Sequence, residues 1–305
     1  MFHRFGPAGS CRRATVAQFE QQVRYLKQNA NVVSMSRFGG MLKSGEPLPD
    51  NTAVITIDDG YADFHEYAFP ILRRYDVPAT FYVTSGFVDR TVWQWPDLVM
   101  YILRNARERH WCLRLQQRDR QFELSESGDN RPVWLEICQH AMKLKDVEKN
   151  RFLRELAEQA KVSVPAEPTA EFAPASWDQL REMSAAGIEV AGHTITHPRL
   201  VCLAEDRLAE EIAGCKARIE EMLDSPVYSF AYPHGNKEDY SKKIKEVVAQ
   251  AGYATAVAAF PISGTHDHYE LGRFAIDNDR EKLADVISGA ELVMWRANKM
   301  LGIRG

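Results

Sequence analysis

The chain has 305 residues, 45% hydrophobic and 26% charged, with a formal net charge of −4. That composition is ordinary for a globular protein, and it lacks the basic excess that nucleic acid selects. The longest apolar runs fall far short of the roughly 18 residues of a membrane span, and Met1-Phe2-His3-Arg4-Phe5 lacks the apolar stretch of a signal peptide, so the chain as written is expected in the cytoplasm unless a leader has been removed. Length alone allows about two domains, but α/β barrels reach about 250 residues as one unit, which leaves open a single core with an insertion. Cys11, Cys112, Cys138, Cys202 and Cys215 are odd in number and scattered, without a C-x-x-C pair, and read as reduced packing residues.

Thr15 with Gln18 makes a capping box, and Val16, Phe19, Val23 and Leu26 recur at helical spacing, which predicts a helix over 15–29. Val32 to Met35 reads as a short strand. The run Ala53-Val54-Ile55-Thr56-Ile57 is too short for a helix and rich in β-branched residues, as in a strand covered on both faces. It delivers Asp58-Asp59-Gly60 at its carboxyl end, where parallel α/β folds place their chemistry. A helix over 67–75 and a buried strand over 78–84 complete a βαβ unit.

Between Thr91 and about Pro174 the pattern changes to Trp- and Arg-rich segments, with a hairpin pairing 111–116 with 121–124, helices near 132–144 and 146–161, and a Pro-rich return. This reads as an insertion. Ser176 with Gln179 caps a helix that stops at Gly187, and a strand over 188–191 resumes the series. A helix over 204–223, strand 227–231, helix 238–251, strands 253–259 and 273–276, and a helix from Asp279 toward Trp295 follow. Repeated βα units with short connections favour a closed or nearly closed parallel barrel, with a doubly wound sheet as the alternative.

The strand at 188–191 runs into Gly192-His193-Thr194-Ile195-Thr196-His197-Pro198. Pro198 disfavours the α conformation at His197, so the histidine pair belongs to a loop rather than to one face of a helix. Taken alone the pair fits metal binding and a hydrogen-bonded structural role equally, and Asp58-Asp59 alone fits a solvated loop. On one barrel face, however, two imidazoles and a carboxylate make a three-ligand site with room for water. Phe230-Ala231-Tyr232-Pro233-His234-Gly235 adds a turn whose backbone N–H groups suit a developing oxyanion.

In this order, Thr56-Ile57-Asp58-Asp59, His193-Thr194-Ile195-Thr196-His197 and Tyr232-Pro233-His234-Gly235 resemble the first three motifs of the polysaccharide deacetylase family of carbohydrate esterases (family 4, NodB-homology type). Ala68-Phe69-Pro70-Ile71-Leu72, Val77-Pro78-Ala79-Thr80-Phe81, Ser176-Trp177-Asp178-Gln179-Leu180 and Ala186-Gly187-Ile188-Glu189-Val190 resemble the flanks, so the likeness covers about 51–90 and 176–256, with a weaker echo in His3-Arg4 and Gln18-Phe19-Glu20. The resemblance implies an α/β fold, a distorted (β/α)7 barrel, forming a single domain over 1–305 with a mainly helical insertion at about 91–174. It also implies a divalent metal, zinc first with Co²⁺ or Ni²⁺ as alternatives, on Asp59, His193 and His197. Asp58 would be the general base, the His234 N–H an oxyanion donor, and Thr194 a support behind the ligands.

The chain departs from the family pattern in three places. Ala231 stands where many members carry an Arg that orients the base, and Arg273 is the candidate substitute. His234 replaces an aromatic residue. The downstream Leu-x-His acid motif is absent, leaving His234, His266 and His268 as candidate acids. Trp95, Tyr232 and Pro233 are candidate substrate contacts; Trp93 and Trp95 suit core anchoring of the insertion equally well. His3 lines the barrel floor or is loose. The expected activity is hydrolytic removal of an N-acetyl group from an amino sugar of a polysaccharide or glycan precursor, a cytoplasmic location favouring a precursor. A deformylase or other amide hydrolase, and a carbohydrate-binding protein without turnover, are the alternatives. Mg²⁺-dependent phosphoryl chemistry is disfavoured, since imidazoles suit Mg²⁺ poorly and no phosphate loop is present.

Overall fold

A computed structural model describes residues 1–7, 14–116, 118–125, 129–262, 267–276 and 280–289. Five strands, β1 (Thr56–Ile57), β2 (Ala79–Val83), β3 (Ile188–Gly192), β4 (Ser229–Ala231) and β5 (Thr255–Val257), form one parallel sheet in the order β5-β4-β3-β2-β1. Side chains alternate between its faces. Phe81, Val83, Ile188, Val190, Phe230 and Ala256 pack outward into the main apolar core, while Tyr82, Ala191, Ala231 and Val257 form a small inner cluster with Met35. The sheet curls as a half-barrel.

Irregular chain closes the open side. Phe2 bridges Ile57 in parallel and Leu271 bridges Val257 in parallel. Between them, the Met1 amino group donates to the Phe274 carbonyl (2.8 Å) and the Ile276 N–H donates to the Met1 carbonyl (3.2 Å). The N-terminal segment and residues 271–276 therefore act as two further staves beside the regular strands. The predicted strand at 273–276 is an extended stave without regular strand pairing.

Three other expectations need correction. The run 53–57 is split: Thr52–Ala53 pairs with Asn31–Val32, and only Thr56–Ile57 joins the main sheet. Met35, expected at the end of a strand, opens a helix, Met35–Ser44, capped by the Ser34 hydroxyl, which accepts from the Arg37 N–H (3.3 Å). That helix lies against the sheet at Gly39, where an added Cβ would stand 2.7 Å from Thr255 Cγ2. The predicted helix at 204–223 is three pieces, with a π-turn at Glu210–Gly214 between Glu205–Ala209 and Cys215–Leu223.

The insertion has a core of its own. Trp95, Ile102, Trp111, Phe122, Ile137 and Leu156 belong to an apolar cluster separate from that of the barrel. It comprises a helix not expected from sequence, Trp95–Asn105, with Pro96 in its first turn, the hairpin His110–Leu115 with Arg118–Glu123, and helices Arg131–Ala141 and Asp146–Gln159. Cys112, Cys138, Cys202 and Cys215 are free, with Cys138 and Cys215 buried. Among the described residues no helix is long and apolar enough to cross a membrane. Cys11, His266, Asp279 and Trp295 lie outside the described residues.

Candidate active site

β1 ends by delivering two adjacent carboxylates to different partners. Asp58 is buried, and its backbone N–H donates to the Phe2 carbonyl (3.0 Å). Its carboxylate meets the buried Arg273 guanidinium in a two-pronged pair, Nη1 to Oδ1 and Nη2 to Oδ2, both 2.7 Å. Arg273 is held in turn by the Ala258 carbonyl (2.9 Å from Nε) and the Thr56 hydroxyl (3.2 Å from Nη1). Burial alone would raise the Asp58 carboxyl, but the Arg273 charge and hydrogen bonds hold it below the ordinary carboxylate range. Ala231, in the place of the family's arginine, packs inside the barrel.

Asp59 turns the other way, in a left-handed backbone conformation (φ 81°), toward the histidine loop that follows β3. Its Oδ1 lies 3.6 Å from His193 Nε2 and 3.4 Å from His197 Nε2. His193 Nδ1 is 2.8 Å from the Ala231 carbonyl. A carbonyl can only accept, so the Nδ1 carries a proton, which leaves Nε2 as the nitrogen that faces Asp59. Thr194 supports the loop from behind, its hydroxyl donating to the His193 carbonyl (2.5 Å) and accepting from the His197 N–H (3.0 Å).

These donors fit a metal. One ligand atom each from Asp59, His193 and His197 falls within 4.8 Å of the others. Ligand bonds of about 2.0–2.1 Å imply a tetrahedral edge of roughly 3.4 Å, close to the two spacings above. Among the described residues the buried His197 Nδ1 has no partner, and burial, together with the neighbouring His193, holds that imidazole well below its usual pKa. A neutral imidazole is the form that ligates.

The third motif leaves β4 as a turn with His234 (φ 61°) and Gly235 (φ 64°) both left-handed. Glycine is required at 235, since an added Cβ would stand 2.8 Å from the Ala259 nitrogen. The His234 N–H has no protein acceptor among the described residues. Its ring lies 5.0 Å from that of His197 and 6.2 Å from Trp95, and burial lowers the imidazole to about 4 against the pull of Asp239. The Pro233 carbonyl closes the turn by accepting from the Gly235 N–H (2.7 Å).

Other sequence candidates are placed differently. The Tyr232 side chain is buried, stacked on Tyr240 (4.4 Å), with its hydroxyl donating to the Tyr269 carbonyl (2.8 Å), so it offers nothing to a ligand over the triad. His268 is not gathered to the triad; its carbonyl accepts from the Ala256 N–H (2.8 Å), alongside β5. Trp95 is a core residue of the insertion that also lines a crevice with Lys149, Arg199 and His234. Trp93 donates to the Pro165 carbonyl (3.1 Å), anchoring the insertion's return.

Glu211 escaped the sequence reading, and His3 was noticed there only as a residue of the barrel floor or a loose terminus. The Phe2–Ile57 bridge brings the exposed His3 beside the paired carboxylates, whose charges both feel it. No local pattern announces that pairing. Glu211, buried behind the histidine loop, did leave a signal: it stands three residues after Leu208 and four before Cys215, a charge on an apolar helical stripe.

A polysaccharide deacetylase family profile matches residues 45–124 and 153–256, more than half of the chain. The poly-β-1,6-N-acetyl-D-glucosamine N-deacetylase of Escherichia coli K12 is 34% identical over 70 residues, 23% of this chain and 10% of that protein. Its namesake from Staphylococcus aureus MSSA476 is 34% identical over 73 residues, 24% of this chain and 25% of that protein. The match thus spans a tenth to a quarter of the length of these relatives. The fold is similar to that of the Streptococcus pyogenes deacetylase PplD solved with acetate (TM-score 0.62, 18% identity, 94% of this chain and 96% of that one). It is also similar to IcaB from Ammonifex degensii (TM-score 0.60, 19% identity, 94% and 93%). Those likenesses carry the distorted (β/α)7 architecture, and the profile match over more than half its length makes this chain a member of the polysaccharide deacetylase family.

Proposed function

We propose that this chain is a metal-dependent hydrolase that removes an N-acetyl group from an amino sugar of a polysaccharide or glycan precursor. The carrying observation is the division of labour between neighbouring aspartates: Asp59 joins two imidazoles, while Asp58 is held apart by Arg273. Asp59, His193 and His197 would hold the divalent ion, Zn²⁺ or in its place Co²⁺ or Ni²⁺, which when bound supplies Lewis acidity to the acyl carbonyl and to water.

The chain's own groups supply the rest. Asp58 takes the proton of the attacking water; each carboxylate oxygen keeps a lone pair beyond its bond to Arg273, and the low pKa keeps the group ionised at neutral pH. The His234 N–H, on its left-handed turn, donates to the oxyanion as the water oxygen bonds to the acyl carbon. As the C–N bond breaks, the amine nitrogen takes a proton from His3. His3, whose charge bears on both aspartates, is put forward ahead of His234, whose half-buried ring packs near those of His197 and Trp95, and of His268, which lies alongside β5. Products are acetate and the free amino sugar. Arg273 does for the base what the family's missing arginine does, which weighs against a binding protein without turnover.

The test is incubation of the zinc-loaded protein with N-acetylglucosamine oligomers and their N-formyl counterparts, measuring carboxylic acid and free amine. Equimolar acetate and amine, abolished or strongly reduced in His3→Ala with metal retained, is expected. Formate release alone would make it a deformylase, and oligomer binding without either acid a binding protein.

A further inference from the structure

We propose that Glu211 is a positioning residue for the histidine pair: its buried carboxylate holds residues 193–197 in the backbone conformation that aims both Nε2 atoms at one cation. The inference rests on the metal-ligand reading above.

The loop needs such a device. Thr194 (φ 67°) and His197 (φ 54°) are both left-handed. A β-branched residue there is a steric outlier, and such conformations persist only where the surroundings over-determine them. Glu211 provides that constraint. It is 1% exposed, its Oε2 accepts from the backbone N–H groups of both Ile195 and Thr196 (2.9 Å each), and its Oε1 accepts from the Thr196 hydroxyl (2.6 Å) and from Arg207 Nη2 (3.2 Å). Successive N–H groups converging on one oxygen form a small anion nest between the two ligands in the sequence.

The scaffold is specialised for the contact. Glu211 sits in the π-turn Glu210–Gly214, and single π-turns within helices re-aim side chains at functional sites. Ile195 is gripped from the remaining sides. The Gly86 N–H donates to its carbonyl (2.9 Å), and Cβ atoms added at Gly86 or Gly214 would stand 2.6 Å from its carbonyl oxygen and 2.8 Å from its Cδ1. A loop clamped this way fixes the 3.6 and 3.4 Å spacings of its histidines from Asp59.

A merely structural buried carboxylate would lower stability on removal and leave metal affinity alone, and this distinguishes the two roles. The measurements are Zn²⁺ affinity, by competition with a chromophoric chelator, and Tm of the metal-free protein, for wild type, Glu211→Ala, Glu211→Gln and His193→Ala. Glu189→Gln serves as control, a half-buried carboxyl that accepts from the Ser36 N–H (2.8 Å) away from the triad. Glu211→Ala is expected to weaken Zn²⁺ binding on the order of 10–100-fold, as loss of a group supporting a ligand does. Glu211→Gln, whose single amide oxygen can still accept both N–H groups, should fall between it and wild type, and it carries the test if Glu211→Ala does not fold. Glu189→Gln should bind Zn²⁺ as wild type does. Wild-type affinity in folded Glu211→Gln and Glu211→Ala, or an equal loss in Glu189→Gln, would overturn the assignment. Unchanged binding in His193→Ala, or none in wild type, would instead bring down the ligand reading beneath it.

Discussion

The barrel and the insertion treat charge in opposite ways. In the barrel, ionisable side chains go inside in matched sets: Asp58 with Arg273, whose side chains are 4% and 5% exposed, Asp59 with two imidazoles, and Glu211 with two amides and a hydroxyl. In the insertion, pairs such as Arg104 with Glu171, Arg120 with Glu136 and Arg131 with Asp129 stay at the surface, and among the described residues the ionisable side chains that go in are Lys149, beside Asp146, and His140. Exposed pairs contribute at most about 1 kcal/mol each, whereas a buried charge that loses its partner is severely penalised. The insertion is thus held by apolar packing, and the barrel accepts costly buried charges where its chemistry lies.

The sharpest way to break this contrast is Asp59→Ala. It should abolish bound metal and turnover while leaving the fold, read by metal analysis and circular dichroism; full metal content would remove Asp59 from the ligand set. Asp58→Asn should keep the metal and lower kcat by roughly 10²–10⁴, the usual worth of a positioned base. Arg273→Met strands Asp58 as an unpaired buried charge and should cost about 3–5 kcal/mol in a denaturant titration.

Its pH dependence sharpens the point. In the wild type the Asp58 carboxyl is depressed by folding, so its stabilising contribution is full above about pH 4 and is lost as pH falls through the lower folded pKa. Without Arg273 burial is opposed only by the smaller pull of His193 and His3, so the folded pKa is expected to rise above that of the unfolded chain and acidification to recover stability; a variant that loses stability on acidification just as wild type does would show that the pair is not the source. The smallest effect on chemistry belongs to the insertion. Leu156→Ala, at a fully buried site there, should cost about 2–5 kcal/mol of stability with unchanged metal stoichiometry.

How much of this was legible in the sequence follows from how local each feature is. The Asp58-Asp59, His193 to His197 and Pro233 to Gly235 segments could be read because each follows its own buried strand, and parallel strands bring such tips to one face. The Ser176–Gln179 capping box, the Thr15 cap and the hairpin were readable for the same reason, since they depend on residues a few positions apart. Of the two closing staves, the extended run at 273–276 was expected, but the N-terminal one and the contacts that join the two were not. Met1 to Phe274 and Asp58 to Arg273 join residues more than 200 positions apart, and extended chain paired over that distance carries no periodicity of its own. Arg273 was suggested by what Ala231 lacked, not by its surroundings. The helix Met35–Ser44 was missed because Val32 and Val33 drew Met35 into a strand, whereas Ser34 caps a helix there.

The four left-handed residues around the triad, Asp59, Thr194, His197 and His234, carry a thermodynamic corollary. Side chains in that backbone region cost on the order of 1–2 kcal/mol each, glycine almost nothing. At Asp59 and His197 a sequence optimised for folding alone would drift to glycine and erase two ligand side chains. Chains engineered for heat resistance from this template should therefore spare these positions, because here the most stabilising substitution and the inactivating one are the same.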